Sequence, residues 1–312
     1  MEKFDFFDLK TDLADENDEI IRISRTLPDG IESSKRRDNG IDIFTMIVKT
    51  PQGEQISGKK TGKYVTVNVG CTGLYDTSTF EKTCTVFSNI IREFTSEIQQ
   101  SGGSFLLAGL GNPHITADSV GAETVSSFIV TRHIKESSPD LFKKFGFSES
   151  SAIIPNVFGN TGVEAAEIIK GVVDDIKPSC VIAVDSLSSR RLSRLATTVQ
   201  ICDTGICPGS GVGNTRAEIS SETIGVPVIA IGVPTVVNAS TLISDVLSEC
   251  GVREKDLSDS ARKNIHSQVG IDCYVSPKDC GADIKSIARL IGYSLNAAIH
   301  NGIAFSEMRD FL

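Results

Sequence analysis

The sequence predicts an α/β fold with three layers: a mainly parallel sheet flanked by helices, with an additional β-hairpin region near its N-terminus. From residue 79 onward, apolar runs of strand length alternate with stretches of helical periodicity, the pattern of parallel strands joined by crossover helices. Before residue 79, two runs rich in β-branched and aromatic residues follow each other closely, as the paired strands of a hairpin do. The 312 residues are enough to bury one large core.

The hairpin region is expected to span residues 41–69. The polar link Thr50–Gly53 suits a turn between its strands. The segment Gly53–Lys60 nearly matches a phosphate-binding loop, but Lys60 stands where that motif needs Ser or Thr, and a strand follows instead of a helix. We therefore expect this segment to form the hairpin tip. The two strands are expected at residues 41–49 and 64–69.

The rest of the chain is expected to alternate between helices and strands. Phe80, Ile90, Ile91 and Ile98, for example, are spaced as the apolar face of one helix. The sequence contains no internal repeat. Helices are expected at residues 79–100, 118–133, 163–176, 240–250 and 283–300, and strands at residues 104–110, 152–158, 180–185, 198–202 and 227–232.

Charge and hydropathy exclude several classes of protein. The net charge of −9 argues against a general nucleic-acid binder, which needs a basic face. No apolar run reaches the length of a membrane span, and the N-terminus lacks the features of a secretory signal, so a cytoplasmic protein is expected. Residues 1–20 hold eight acids against two lysines. Such an acidic leader is usually a solvated tail, although it could also fold over another part of the chain.

The eight cysteines do not indicate a metal site. They contain no C-x-x-C pair, and several lie inside apolar runs, where cysteine behaves as a small core residue. No cofactor or metal is therefore expected.

The glycine-rich stretch Gln200–Asn214 is the strongest sign of a binding site. Glycine lacks the Cβ that would keep a ligand away from backbone N–H groups, so Gly209, Gly211 and Gly213 are candidates for contacting a substrate or an oxyanion. Their spacing does not fit a dinucleotide loop. Asp203 ends the strand before them and is a further candidate, although its Asp-Thr-Gly triplet occurs once, in an α/β context unlike that of pepsin-like proteases.

Two aspartates are candidates for catalysis. Asp118 follows one expected strand through the loop that contains Asn112, a further candidate for binding substrate, and Asp185 is expected to end another strand. In an open parallel sheet the carboxyl ends of strands meet at one edge, where ligands bind. Two carboxyl groups brought close share a proton and can activate a water molecule. The alternative is that Asp118 only caps its helix, unless Thr116 does so.

Around these residues the chain resembles the germination proteases of spore-forming bacteria. The likeness spans nearly the whole chain, and its most specific block is Thr198–Asn214. The other matching motifs are Gly109–Asn112 with Thr116, Asp118 and Gly121; Val184–Asp185 with Arg190; Glu222–Val237; Ser276–Lys278; and Leu295–His300.

The resemblance implies an endopeptidase that degrades small acid-soluble spore proteins in the spore core during germination. It also implies a zymogen, a homotetramer, and a fold similar to that of hydrogenase maturation proteases. Members are described as atypical aspartic proteases whose catalytic residues correspond here to Asp118 and Asp185. The sequence departs from the family pattern at Ala117, Ala122, Ser186 and Asn238.

Family substrates are cut after an acidic residue in sequences like Thr-Glu-Phe/Ile-Ala-Ser-Glu, and Thr11–Glu16 imitates such a sequence. The resemblance therefore implies self-processing between Asp12 and Leu13. Residues 1–12 would be an acidic propeptide that occludes a groove, and residues 13–312 a single α/β peptidase domain.

Two other functions remain open from the sequence. A metal-assisted peptidase would use His114, the histidine of the proposed site loops. A non-catalytic module would bind acidic peptides at the glycine loops without cutting them.

Overall fold

The computed structural model describes residues 11–24, 29–213, 216–252, 257–258, 260, 273–278, 280–300 and 303–311. The strands within these ranges are β1 (Ile31–Asp38), β2 (Ile41–Val48), β3 (Gly62–Asn68), β4 (Phe105–Gly109), β5 (Ser150–Ile153), β6 (Cys180–Ser189), β7 (Thr198–Cys202), β8 (Val228–Asn238) and β9 (Tyr274–Val275). The helices are α1 (Ala14–Ser24), α2 (Pro51–Ser57), α3 (Thr77–Gln100), α4 (Val120–Val125), α5 (Arg132–Ser137), α6 (Pro139–Lys144), α7 (Phe158–Thr161), α8 (Ala165–Ile176), α9 (Ser221–Ile224), α10 (Ala239–Glu249), α11 (Cys280–Ile299) and α12 (Phe305–Phe311).

The described strands form one mixed sheet in the order β1-β2-β3-β7-β8-β6-β4-β5, with β9 paired to the outer part of β8. Strands β8, β6, β4 and β5 run parallel, whereas β1, β2, β3 and β7 join them through antiparallel pairings. The predicted α/β class is confirmed. The antiparallel part is larger than the expected hairpin because β1 and β7 also belong to it.

Helices cover both faces of the sheet. On one face α3, α4 and α11 pack on the strands around Phe87 and Leu290. On the other face α8 packs on β4 and β6 through Ile169, and α1 packs on β2 and β3 through Ile21. Strand β4, between β6 and the edge strand β5, reads Phe-Leu-Leu-Ala-Gly and is buried throughout, as expected of a parallel strand covered on both sides.

The paired strands of the hairpin region are confirmed, but the expected turn and hairpin tip between them are wrong. Strands β2 and β3 are antiparallel, and α2 connects them. Thr50 accepts a hydrogen bond from the Gly53 N–H at 3.1 Å, Pro51 opens the helix, and Gly58 closes it in the left-handed region with φ 66°. These residues are the cap, first-turn and C-terminal signals of one short helix.

The helix expected at residues 118–133 is also wrong in its extent, because α4 ends at Val125. The side chain of Asn296 on α11 accepts a hydrogen bond from the Ile129 N–H at 2.9 Å and donates one to the Ser127 carbonyl at 3.0 Å. These two side-chain hydrogen bonds take the place of backbone hydrogen bonds of a helix just after α4 ends. The tertiary partner therefore overrides the local periodicity.

Three strands differ clearly in extent from the expectation, and one of them is β8, which runs to Asn238 instead of ending at residue 232. Strand β5 covers Ser150–Ile153 instead of residues 152–158, and Pro155, which cannot donate to a sheet, follows shortly after its end. Strand β6 continues four residues past Asp185 to Ser189, because β8 runs beside it that far. Asp185 is therefore inside its strand and not at its end.

The described part of the acidic leader is folded onto the body of the protein. Leu13 and Glu16 are completely buried. The Glu16 carboxylate accepts hydrogen bonds from the backbone N–H groups of Arg190, at 2.7 Å, and Arg191, and Asp15 pairs with Arg194. The solvated-tail interpretation is therefore wrong for residues 11–20, and residues 1–10 lie outside the described residues.

Among the described residues, none of the helices is both long enough and apolar enough to cross a membrane.

Candidate active site

A cavity of about 450 Å³ opens where β4 ends beside β6. Strand β4 ends at Gly109, which lies opposite Val184, so Asp185 is the first residue of β6 beyond the end of β4. The loop after β4, the outer part of β6 and the glycine-rich loop after β7 form the walls. Among the lining residues are Asp12, Asn112, Asp118, Asp185, Gly209 and Gly211.

Asp118 is half-buried and closes a short 3-10 turn, Thr116–Asp118, before α4. Its carboxylate accepts a hydrogen bond from the backbone N–H of Asn112 at 2.7 Å. A Cβ on Gly111, whose φ is +90°, would lie 2.1 Å from the Asp118 carbonyl oxygen, so only glycine permits this close turn. The side chain bonds backward to its loop and does not cap α4, which removes the capping alternative.

Asp185 is 5% exposed and lies opposite Gly232 of β8. Burial raises the pKa of its carboxyl well above the usual value, and the nearby charges of Asp118 and Asp12 raise it further. A hydrogen bond from the Ser186 backbone partly offsets these effects. Burial also raises the pKa of Asp118, against the lowering effect of the Asn112 N–H.

The two aspartates thus reach one cavity from different elements, Asp118 from the 3-10 turn after β4 and Asp185 from β6, and the pKa of each carboxyl group is raised. Burial disfavours the charged form of both carboxyl groups, and the charge of Asp118 further disfavours the charged form of Asp185. Such a pair titrates as a unit and holds one proton over a range of pH in which isolated carboxyl groups are ionised. The arrangement can take a proton from water at one carboxylate and supply a proton from the other carboxyl group.

This electrostatic situation predicts a pH-dependent stability change for Asp185→Asn. Because folding raises the pKa of Asp185, its favourable contribution is fully present below the unfolded value of about 3.9 and is lost as pH rises through the folded value. Asparagine keeps the neutral form at every pH. The variant is therefore expected to gain on the order of 1–3 kcal/mol in the free energy of unfolding near pH 7.5, and this gain should shrink on acidification toward pH 4.

Urea unfolding of both proteins at several pH values measures this difference. The control variant is Asp175→Asn on the exposed side of α8. A gain for Asp185→Asn that is independent of pH would contradict the raised pKa.

The other sequence candidates divide into two groups. Asn112, Gly209 and Gly211 line the cavity, whereas Gly213 is exposed and does not line it. Asp203 also lies elsewhere, because β7 runs antiparallel to β8 and carries its C-terminal end toward the opposite edge of the sheet. There the Asp203 carboxylate accepts a hydrogen bond from the backbone N–H of Lys63 at 2.8 Å.

The N-terminal segment passes directly beside the cavity. The Asp12 N–H donates to the Ser188 carbonyl at 2.9 Å, and the Ser188 N–H donates to the Asp12 carboxylate at 2.8 Å. The Asp12 carboxylate also lies against Gly211, where an added Cβ would come within 2.0 Å of its oxygen. Two residues later, the Ala14 N–H donates to the Gln200 side chain at 2.7 Å. Residues 11–13 therefore pass beside the cavity, and helix α1 begins directly after them at Ala14.

His114 is exposed and does not line the cavity. Within the residues that the structure describes, no group of three His, Cys, Asp or Glu side chains is arranged to hold a metal ion.

The four positions at which the sequence was expected to depart from germination proteases lie in or near the cavity or in the buried interior. The Ala117 carbonyl accepts a hydrogen bond from Thr235, and Ala117 and Ser186 both line the cavity. Asn238 is buried and accepts the backbone N–H of Ser240 at 3.0 Å at the start of α10, a role that aspartate can also fill. Ala122 is buried in α4.

Sequence reasoning did not identify Ser188, Phe158 or Arg216, which also line the cavity. Ser188 acts through its backbone, so its side chain gave no signal. The Arg216 guanidinium lies over the Phe158 ring at 5.2 Å from the centroid. Arg216 follows the glycine-rich stretch Gln200–Asn214 by two residues, and this position in the sequence could have indicated a cationic group beside the site.

The sequence is similar to germination proteases over most of its length. The family model described as germination protease matches residues 10–253. A germination protease of Caldanaerobacter subterraneus subsp. tengcongensis is 39% identical over 97% of this chain and 98% of its own length. The germination protease of Bacillus subtilis is 35% identical over 95% of this chain and 94% of its own, and that of Clostridium acetobutylicum is 34% identical over 97% and 99%.

Proposed function

This chain belongs to the germination protease family, and from that premise we propose that it initiates the degradation of small acid-soluble spore proteins, with a water molecule activated by Asp118 and Asp185. Family membership makes the chain a peptidase of spore germination. The substrate, the aspartic mechanism, the zymogen form and a homotetramer in the spore core are the parts that we propose.

The observation that carries the mechanism is the pair of carboxyl groups with raised pKa values in one cavity. In the proposed reaction one carboxylate takes a proton from water as the water oxygen attacks the carbonyl carbon. The other carboxyl group then donates its proton to the leaving nitrogen as the C–N bond breaks. Cys207 also lines the cavity, but burial raises the pKa of its thiol, which disfavours the thiolate that a cysteine nucleophile requires.

The contacts of the leader support self-processing between Asp12 and Leu13. Asp12 is held by the backbone of Ser188, on the same strand as Asp185, and its carboxylate faces the glycine-rich loop at Gly211. This is how a substrate with an acidic residue before the cut bond would bind. Residues 1–12 would then be the propeptide that blocks the groove until cleavage, and residues 13–312 the mature peptidase domain.

The experiment that tests this function measures two cleavages by mass spectrometry. The full-length chain is expected to release residues 1–12 and give a product that begins at Leu13. It is then expected to cut the peptide Thr-Glu-Phe-Ala-Ser-Glu after its first glutamate.

The matched control peptide is Thr-Gln-Phe-Ala-Ser-Glu, which keeps the shape but lacks the charge. It should be cut at least about 10-fold more slowly, because a site built to bind a charged group loses that interaction. Binding of the glutamate peptide without cleavage would support the non-catalytic module instead. A mature chain that begins elsewhere would contradict the proposed processing site.

A further inference from the structure

A second cavity, of about 560 Å³, lies on the other side of Asp12 and contains a lysine with an unusual environment. The Lys59 side chain is partly exposed, but its ammonium end lies among protein groups, and this desolvation lowers its pKa. In the described part of the chain no carboxylate forms an ion pair with it, and its amine donates to a backbone oxygen. Desolvation of an ammonium group is costly, and the charge of the nearby Asp12 carboxylate offsets only part of this cost, since the pKa of Lys59 stays lowered.

The oxygen that Lys59 contacts is the carbonyl of Asp12, in the peptide bond proposed for self-processing. The Lys59 Nζ donates to this oxygen at 2.7 Å, and the Gln200 Nε2 donates to the same oxygen at 3.0 Å. An oxyanion-binding site needs donors at about 2.7–3.1 Å from the position that the oxygen takes after attack, and two donors already converge on this carbonyl oxygen before the attack.

Neighbouring contacts fix the orientation of this carbonyl. On one side the Asp12 N–H is bonded to Ser188, and on the other the Ala14 N–H donates to the Gln200 Oε1. Gln200 therefore contacts the peptide groups on both sides of Leu13, which is itself completely buried. The carbonyl cannot rotate away from its two donors without breaking these bonds.

The sheet register places Gln200 level with Asp185. Gln200, Gly232 and Asp185 lie directly opposite one another on β7, β8 and β6, so the side chains of Gln200 and Asp185 leave the same face of the sheet. Two strand spacings separate them, about 10 Å. Asp12 lines both cavities and lies between the two sets of groups.

We propose that Lys59 and Gln200 are further catalytic residues, which bind the oxyanion formed when water attacks the carbonyl that follows an acidic side chain. The proposal rests on the function proposed above. As the water oxygen bonds to the carbonyl carbon, the carbonyl electron pair moves to the oxygen held by Lys59 and Gln200, and the water proton goes to the aspartate pair. When the C–N bond breaks, the pair returns a proton to the nitrogen and the carbonyl re-forms. The glycine loop contacts the acidic side chain at Gly211 and not this oxygen.

The test compares the full-length chain with Lys59→Met, Gln200→Leu and Asp118→Asn. The readouts are the rate at which the product beginning at Leu13 appears and the kcat and KM for the peptide Thr-Glu-Phe-Ala-Ser-Glu. Lys59→Met is expected to lower kcat by about 10²–10³ with KM changed little, because it removes a donor that strengthens in the transition state. Gln200→Leu is expected to lower kcat similarly. It should also raise KM, because it loses the hydrogen bond that Gln200 accepts from the Ala14 N–H and would accept from the alanine N–H of the peptide. Lys63→Met, whose amine pairs with Glu93 outside both cavities, should retain full activity.

Each outcome is decisive. If Lys59→Met and Gln200→Leu process and cut at the rate of the unchanged chain while Asp118→Asn does not, the oxyanion site is overturned and the proposed function stands. If the unchanged chain cleaves neither bond, both proposals fall. Thermal unfolding checks that the variants are folded, and if Lys59→Met does not fold, Gln200→Leu alone decides.

Discussion

Asp118→Asn and Asp185→Asn are each expected to lower the rate of peptide cleavage by at least about 10³-fold while leaving the fold intact. Asparagine keeps the shape of aspartate but can neither take a proton from water nor return one to the leaving nitrogen. The loss should appear in kcat, because the contacts proposed to bind substrate, those that Asp12 makes with Gly211 and Ser188, involve no proton transfer. Steady-state cleavage of Thr-Glu-Phe-Ala-Ser-Glu measures it.

The control for this pair is Asp175→Asn, an exposed aspartate of α8 outside the cavity. It should cleave at the unchanged rate. Appreciable activity in either Asp118→Asn or Asp185→Asn, measured on protein freed of contaminating unchanged chain, would rule out the aspartate mechanism.

Gly121→Ala is expected to cause the second large effect, through the position of Asp118. A Cβ at Gly121 would lie 2.4 Å from both the nitrogen and the oxygen of Leu110 and 2.5 Å from the oxygen of Val184. All three are backbone atoms, and the Leu110 nitrogen and the Val184 oxygen form the hydrogen bond that joins the end of β4 to β6, so α4 must move away. We expect a loss of about 1–3 kcal/mol in the free energy of unfolding. A displacement of about 1 Å at Asp118, three residues before, should lower cleavage by about 10²-fold.

Gly171→Ala is the matched control, because Gly171 lies in α8 with nothing near its missing Cβ. It should raise the free energy of unfolding by about 0.5–1 kcal/mol, since alanine loses less backbone entropy in a helix, and cleavage should not change. Urea unfolding and peptide cleavage of both variants provide the comparison. If Gly121→Ala were as stable and active as the unchanged chain, the tight contact between α4 and the two strands would not position Asp118.

The parts of the fold that the sequence predicted are those governed by local pattern. The buried run of β4 and the helical spacing of α8 and α11 are recognisable without knowledge of their partners. The two aspartates could be proposed as a pair because each follows an apolar run whose parallel direction was correctly inferred. That inference held for Asp185 even though its strand continues further than expected.

The predictions that were wrong concern features of the fold that are set by residues distant in sequence. The direction of β7 is set by its antiparallel neighbours β3 and β8, and this direction moves Asp203 away from the cavity. The end of α4 is set by Asn296, more than 160 residues later. The folding of the acidic leader depends on backbone N–H groups at Arg190 and Arg191 that receive Glu16. No local pattern carries such information, because the partner groups are distant in sequence or lie in the backbone.

The two proposals assign different steps of cleavage to residues that line two neighbouring cavities, both of which include Asp12. In the proposed reaction the aspartate pair would transfer protons, and Lys59 with Gln200, which donate to the Asp12 carbonyl oxygen, would bind the oxyanion. The glycine loop and Ser188 contact the acidic side chain.

The most direct test of the aspartate pair is a double-mutant cycle on peptide cleavage with Asp118→Asn, Asp185→Asn and the double variant. Two groups that share one proton act as a unit, so the double variant should lose no more activity than either single variant. Losses that add on the free-energy scale would show two independent groups, and a single variant that retains activity would show that its aspartate is dispensable. Either result would contradict the account.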